Sequence, residues 1–325
     1  MLIGKARRLA ARAGETLDRP AARRVLAAVK VVLLAAVVVW LVWRLSLIGW
    51  RQVLANLPAS PWFYAFFAMK FLVLPLAETV VYQIIWRRPL IAHLPAFIRK
   101  RVYNAAVAGY SGEAFLTLWA RRRLGLSDRE ALVGVKDNNI LSAFTANAAT
   151  ACLIAALAAS GRLGPVATAI PGGALLFGAA FAAAAGLCLA VLVFRRRLVS
   201  LAGDKAGAIL GIHFLRQAAQ ITLYAAMYEA AVPAPTYGAW FAFIALQLVI
   251  SRIPFLPNQE LVYLGAALAL ASAAGAPQEA VAGMLVAEAG LSQMVNAALF
   301  LATAGLARRA APSRRAMNAD ETEAQ

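Results

Sequence analysis

The side chains best able to do chemistry in this chain are ionisable groups set inside or between apolar runs: Lys70, Glu78, Glu113, Asp137, Arg216, Arg252, Glu260 and Glu288. A charge at the centre of a bilayer costs roughly 2.5 to 3.5 kcal/mol on translocon scales, so such groups usually pair or line a route for something polar. Two places concentrate them. Gly112-Glu113 follows Tyr110-Ser111 in the middle of the apolar run Val102 to Ala120, and Arg252 and Glu260 flank Pro254 and Pro257 between two apolar stretches. A guanidinium suits bidentate contact with phosphate. A nearby carboxylate can pair with it when no ligand is bound, or carry a proton. The set therefore points to an anionic group handled at membrane depth.

Other chemistries lack their residues. With Cys152 and Cys188 as the only cysteines and His93 and His213 as the only histidines, no zinc, haem or iron–sulfur ligand set can be assembled. A disulfide framework is not expected. Gly-rich phosphate loops, nucleophile elbows and metalloprotease motifs are absent, so no cofactor or metal is expected.

The elements that must position these groups are membrane spans. In 325 residues, 62% are hydrophobic and 14% charged, whereas a soluble domain has roughly 45–50% and 25%. An all-α polytopic bundle of about six to eight segments is expected. About 20 apolar residues cross the hydrocarbon core. Val25 to Trp43, Pro61 to Trp86, Ile140 to Ala159 (extended back to Leu132), Gly173 to Phe194, Ile209 to Tyr228 and Ala280 to Leu306 qualify. Residues 1–24 read as a basic cytoplasmic segment before an uncleaved anchor, 25–306 as one transmembrane domain, and 307–325 as a disordered cytoplasmic tail.

The net charge of +17 would suggest nucleic acid in a soluble chain. Here the basic residues sit at the ends of apolar runs, which is a topology signal. With both termini inside, 24 of the 32 Lys and Arg fall on the inner face, and the outer loops hold only Arg44, Arg51 and Arg162. Ala- and Arg-rich usage suggests a GC-rich bacterial genome and hence a cytoplasmic membrane.

Two segments do not fit simple crossing. Val102 to Ala120 has Arg99-Lys100-Arg101 before it and Arg121-Arg122-Arg123 after it, so both ends belong on the inner face. The spacing predicts a hairpin that breaks at Tyr110-Ser111-Gly112 and turns near Glu113. Residues 238–274 hold two short apolar arms around the proline-rich turn, with no basic residue in the flanking loops. They read as a hairpin from the outer face or as two tilted spans. Opposed broken hairpins are what a polar path across a bilayer uses.

Polar stripes at helical spacing accompany them: His213, Arg216 or Gln217, Gln220, Tyr224 and Tyr228; Glu288, Ser292 and Asn296; Asn138, Ser142 and Thr145; Lys70, Glu78 and Tyr82. They suggest a polar interior. Neutral stripes alone also serve as interhelical hydrogen bonding, at about 0.6 kcal/mol each.

Gly112-Glu113, Leu118 to Arg123, Gly125-Leu126-Ser127 and the Ala-containing continuation to Asp137 resemble one family's Gly-Glu, Leu, basic, Gly-x-Ser segment. Ile253-Pro254 through Pro257 to Glu260 is similar to its proline-rich loop ending in Glu. That family comprises the transmembrane region of lysylphosphatidylglycerol synthases and stand-alone flippase-like proteins, and the resemblance covers roughly residues 25–306. This chain departs from it at Leu116, Asp137-Asn138 and Asn258-Gln259, and the aminoacyl-transferase domain of the bifunctional members is not expected in it.

The function expected is a flippase or scramblase passing a phospholipid, hopanoid or isoprenoid-linked glycolipid. Arg252 and Arg216 would meet an anionic headgroup; Glu113 and Glu260 would pair with Arg252 or carry a coupling proton. Two alternatives stand beside it: a non-catalytic membrane subunit holding lipid-biosynthetic enzymes, and an intramembrane lipid transferase with Glu113 or Glu260 as general base.

Overall fold

The computed structural model describes residues 54–106, 110–232, 237–253 and 259–309. Every regular element among them is a helix. In chain order these are α1 (Pro61–Trp86), a 3-10 turn (Ile91–His93), α2 (Leu94–Ala106), α3 (Ser111–Leu124), α4 (Asp128–Ala159), α5 (Leu163–Ala169), α6 (Gly173–Val193), α7 (Arg195–Leu198), α8 (Gly203–Ala231), α9 (Tyr237–Ile250), α10 (Gln259–Ala273) and α11 (Gln278–Arg309).

Local chemistry fixes several boundaries. Ser127 and Glu130 form a reciprocal capping box at the start of α4, which satisfies two backbone N–H groups that the first turn would leave unpaired. Gly125, with φ 66°, closes α3 in the left-handed conformation that glycine adopts without strain.

Among the described residues, three helices are long and apolar enough to cross a membrane: α1, α4 and α6. Their bounds follow the expected spans, except that α4 begins earlier, at its cap. Only 11% of the apolar window of α6 is buried; it packs on α4 and leaves most of its surface outward. The helices α8 and α11, of 29 and 32 residues, are as long but carry the polar stripes. The expected first span, Val25 to Trp43, lies outside the described residues.

The packing centre is α8 against α1, with α4 beside them and α11 against α2 and α10. Trp240, Phe243, Ile244, Leu246, Leu264, Leu268 and Met284 form the largest apolar cluster, joining α9, α10 and α11 to α8 and α1. A second cluster, of Tyr82, Trp86, Phe97, Leu116 and Val135, joins α1, α2, α3 and α4.

Both expected hairpin regions are helix pairs. The first is longer than the sequence suggests: α2 starts at Leu94, so Arg99-Lys100-Arg101 lies inside the first arm and Arg121-Arg122-Arg123 inside the last turn of α3. The two arms pack closely. Ser111 Oγ donates to the Tyr103 carbonyl and the Gly112 N–H to Asn104 Oδ1, each at 2.7 Å. A Cβ on Gly112 would run into the Lys100 carbonyl oxygen, so only glycine permits this approach. The second pair is α9 and α10; residues 254–258 between them, Pro257 included, lie outside the described residues.

Candidate functional site

Helix α1 places Lys70 and Glu78 eight residues apart, which is about 12 Å along the axis and nearly one face. Each organises a level of buried charge. At the first, Lys70 Nζ pairs with Glu288 of α11, both side chains almost wholly buried. Tyr228 Oη donates to Glu288 Oε2 at 3.3 Å and lies 3.2 Å from Tyr263 Oη. Lys70 Nζ also sits 4.0 Å from the Tyr224 ring centroid, a cation–π contact. Gln247 Nε2 donates to the Tyr224 hydroxyl at 3.2 Å. Five helices (α1, α8, α9, α10 and α11) thus converge on one ion pair.

At the second level Lys100 of α2, 3% exposed, pairs with Glu78 and, at 3.2 Å, with Glu113 Oε1. Its Nζ lies 5.9 Å from the Tyr82 ring centroid. The network continues into α4 and α8: Asn138 Nδ2 donates to Tyr82 Oη at 3.3 Å, and His213 Nε2 lies 3.1 Å from Asn138 Oδ1. With the amide nitrogen already committed to Tyr82, the His213 proton belongs on Nε2. Glu113 Oε2 and His213 Nδ1 are buried without a hydrogen-bond partner among the described residues.

Arg101 stands between the two levels. Its guanidinium lies 4.2 Å from the Phe71 ring centroid, within electrostatic reach of Glu78 and of Tyr224. A cavity of about 140 Å³ opens there, lined by Lys70, Arg101, Tyr224, Gln247, Glu288 and Ser292 among others. Tyr224 and Gln247 also line a neighbouring groove with Gln217, Gln220 and Ser251, so three residues of the α8 stripe, Gln217, Gln220 and Tyr224, face it.

The remaining expected residues divide. Arg216, almost buried, donates to Ser142 Oγ at 3.3 Å and is within electrostatic reach of Glu78 and Arg252. Arg252 is exposed at the end of α9 and within electrostatic reach of Tyr110. Tyr110 is itself 76% exposed and precedes α3, so the ends of the two helix pairs approach each other. Glu260 lies in the first turn of α10, with its side chain outside the description. Asp137 stands apart from the column: fully buried, it accepts the Ser200 N–H at 2.9 Å and pairs with Lys136 at 2.8 Å. Among the described residues Glu113 pairs with Lys100 and not with Arg252.

Lys100 and Arg101 are the residues that sequence reasoning passed over as inner-face charges. A signal existed: Phe97, Lys100 and Asn104 recur at steps of three and four, and Phe97 is fully buried. A buried charge survives only with partners. Glu78 and Glu113 supply them for Lys100, from helices on either side.

Among the described residues, Lys70, Lys100, Arg101 and Arg216 lie against or within electrostatic reach of Glu78, Glu113 and Glu288. The interior is thus polar over two levels and carries more cations than carboxylates. Such a site can hold an anion and can exchange one ion pair for another as that anion arrives. No family model, curated protein or solved structure matches the chain.

Proposed function

We propose that the protein is an integral membrane lipid translocator of the flippase or scramblase type, passing an anionic headgroup between leaflets along the column from Glu113 to Glu288. The observation that carries this reading is the two-level stack, Glu113–Lys100–Glu78 and Lys70–Glu288, with Arg101 between. Structural adhesion between helices needs no such set, because apolar packing and small residues hold membrane bundles together at lower cost. Ionisable groups at that depth usually serve a polar passenger or each other, and the excess of guanidinium groups favours a passenger of opposite sign.

In this reading α2–α3 is a re-entrant hairpin from the inner face and α9–α10 its counterpart from the outer face, within a bundle of six to eight segments. Both termini are cytoplasmic, in a bacterial inner membrane. The proximity of Tyr110 and Arg252 supports two turns that meet. The Gly112-Glu113 and Pro257-to-Glu260 segments are those of a divergent relative of the flippase-like proteins they resemble. Arg252, exposed beside Tyr110, receives the headgroup; the column then offers successive counter-charges.

Headgroup exchange of fluorescent phosphatidylglycerol and phosphatidylethanolamine in proteoliposomes tests the reading, with Glu113→Gln, Arg252→Ala and Glu260→Gln beside the native chain. Faster exchange with native protein and its loss in the folded variants are expected. Exchange no faster than in protein-free vesicles, under any ion gradient, would remove these lipids as substrates. Variants as active as the native chain would instead favour a non-catalytic membrane subunit.

A further inference from the structure

Arg101, half-buried, is placed unlike Lys70 and Lys100. Lys70 and Lys100 each have a carboxylate, whereas Arg101 makes no ion pair and no hydrogen bond among the described residues, and its guanidinium rests on Phe71. It lines the cavity that Lys70 and Glu288 also line, together with Ser292 and the hydroxyl-bearing Tyr224 and Tyr263. Glu78, the carboxylate within electrostatic reach of Arg101, is already held by Lys100. A guanidinium with its donors unspent beside a cavity rich in hydroxyl and amide groups lacks an oxyanion.

We propose that this cavity is a phosphate-binding site in which Arg101 and Lys70 clamp the oxyanion and Glu288 is the built-in competitor that it displaces. The inference deepens the translocator reading by assigning the group received in mid-column. Lys70 now joins α1 to α11 through Glu288. An incoming phosphate takes the Lys70 ammonium, and Glu288 keeps the hydrogen bond already donated by Tyr228. The α1–α11 tie then opens only when the site is filled. Arg101 supplies bidentate contact, and its aromatic neighbour Phe71 fixes the plane of the guanidinium.

Binding is tested apart from transport, on the full-length protein in a neutral detergent. The probes are inorganic phosphate, short-chain phosphatidylglycerol and the matching uncharged diacylglycerol, titrated by calorimetry. Phosphatidylglycerol should bind and diacylglycerol should not. Arg101→Gln should weaken binding about tenfold or more, as expected for a lost charge-assisted hydrogen bond. Arg101→Lys should recover part of the loss. Glu288→Gln should tighten binding by about as much, because the competitor is gone. A purely structural Glu288 would give the opposite sign, since its loss would loosen the site. Binding of inorganic phosphate as well would show that the oxyanion alone suffices; binding of the lipid only would show that the headgroup carries it. Either supports the site.

Equal affinity for diacylglycerol, or no change in Arg101→Gln with its fold intact by circular dichroism, overturns the site. Transport of lipid that ignores Arg101 would also overturn it while leaving translocation standing. Binding with the predicted signs but no transport would keep the site and remove the translocator.

Discussion

The two helix pairs, α2–α3 and α9–α10, solve the same problem by opposite means. The second is held by volume: Trp240, Phe243, Ile244 and Leu246 on one arm and Leu264, Ala267 and Leu268 on the other are buried to within a few per cent, and its described charge, Arg252, sits exposed at the turn. The first is held by charge and close approach. Lys100 pairs with Glu78 of α1 and with Glu113 of its own second arm, and Gly112 lets the arms touch. A pair placed by apolar packing tolerates an exposed charge just past its first arm. A pair placed by buried charge must keep its partners, and those partners tie it to the rest of the column.

The difference can be broken most sharply at Lys100. Lys100→Met leaves Glu78 and Glu113 buried without their shared cation and should cost about 3–5 kcal/mol, or prevent folding, because an uncompensated buried charge remains. Thermal unfolding in detergent reads this, and Lys100→Arg should restore most of the loss. Leu268→Ala in the second pair should cost about 2 kcal/mol, the lower end of the usual range for a deleted core leucine, because the surrounding lipid is itself apolar and the loss is one of packing. Gly112→Ala drives a methyl group into the Lys100 carbonyl and should cost about 1 kcal/mol or somewhat more, as overpacking does. Arg252→Gln, at an exposed turn, should change stability by less than about 0.5 kcal/mol while slowing headgroup exchange. Should Leu268→Ala prove harsher than Lys100→Met, the contrast between the pairs would fail.

Much of this was legible in the sequence, and the part that was not has a physical cause. Apolar run length marked α1, α4 and α6, because a span must satisfy its own backbone over a fixed thickness. The steps of three and four along α8 were visible as well. Gln217, Gln220 and Tyr224 line the same opening, while Tyr228 and His213 reach different partners. Lys70 and Glu78 stood out because they are the two charges of one apolar run, Pro61 to Trp86; their partners did not, since Glu288 is 218 residues from Lys70 and Lys100 is 22 from Glu78. Lys100 and Arg101 were hidden by the rule that basic clusters mark the inner face. That rule counts charges near span ends and is blind to a carboxylate brought alongside by tertiary packing. The break before Ser111 was legible in its small and polar residues, but the start of the first arm at Leu94 was not, because the basic triplet masked the helix running through it. Asp137 shows the reverse: the motif resemblance grouped it with the candidate pathway, whereas Lys136 and the Ser200 N–H hold it elsewhere.

The central claim is that the column is a polar path reached by water, and not a sealed set of ion pairs. Its most direct test is thiol accessibility in membranes, in a background with Cys152 and Cys188 replaced by alanine. Ser292→Cys would place a thiol on the cavity wall, and Leu187→Cys on the outward surface of α6, where Leu187 is 56% exposed. A charged methanethiosulfonate reagent attacks only a hydrated thiolate. The account predicts rapid labelling of Ser292→Cys and negligible labelling of Leu187→Cys. Equal resistance of both would mean that the interior is closed to water and that the buried charges serve only to hold the helices together.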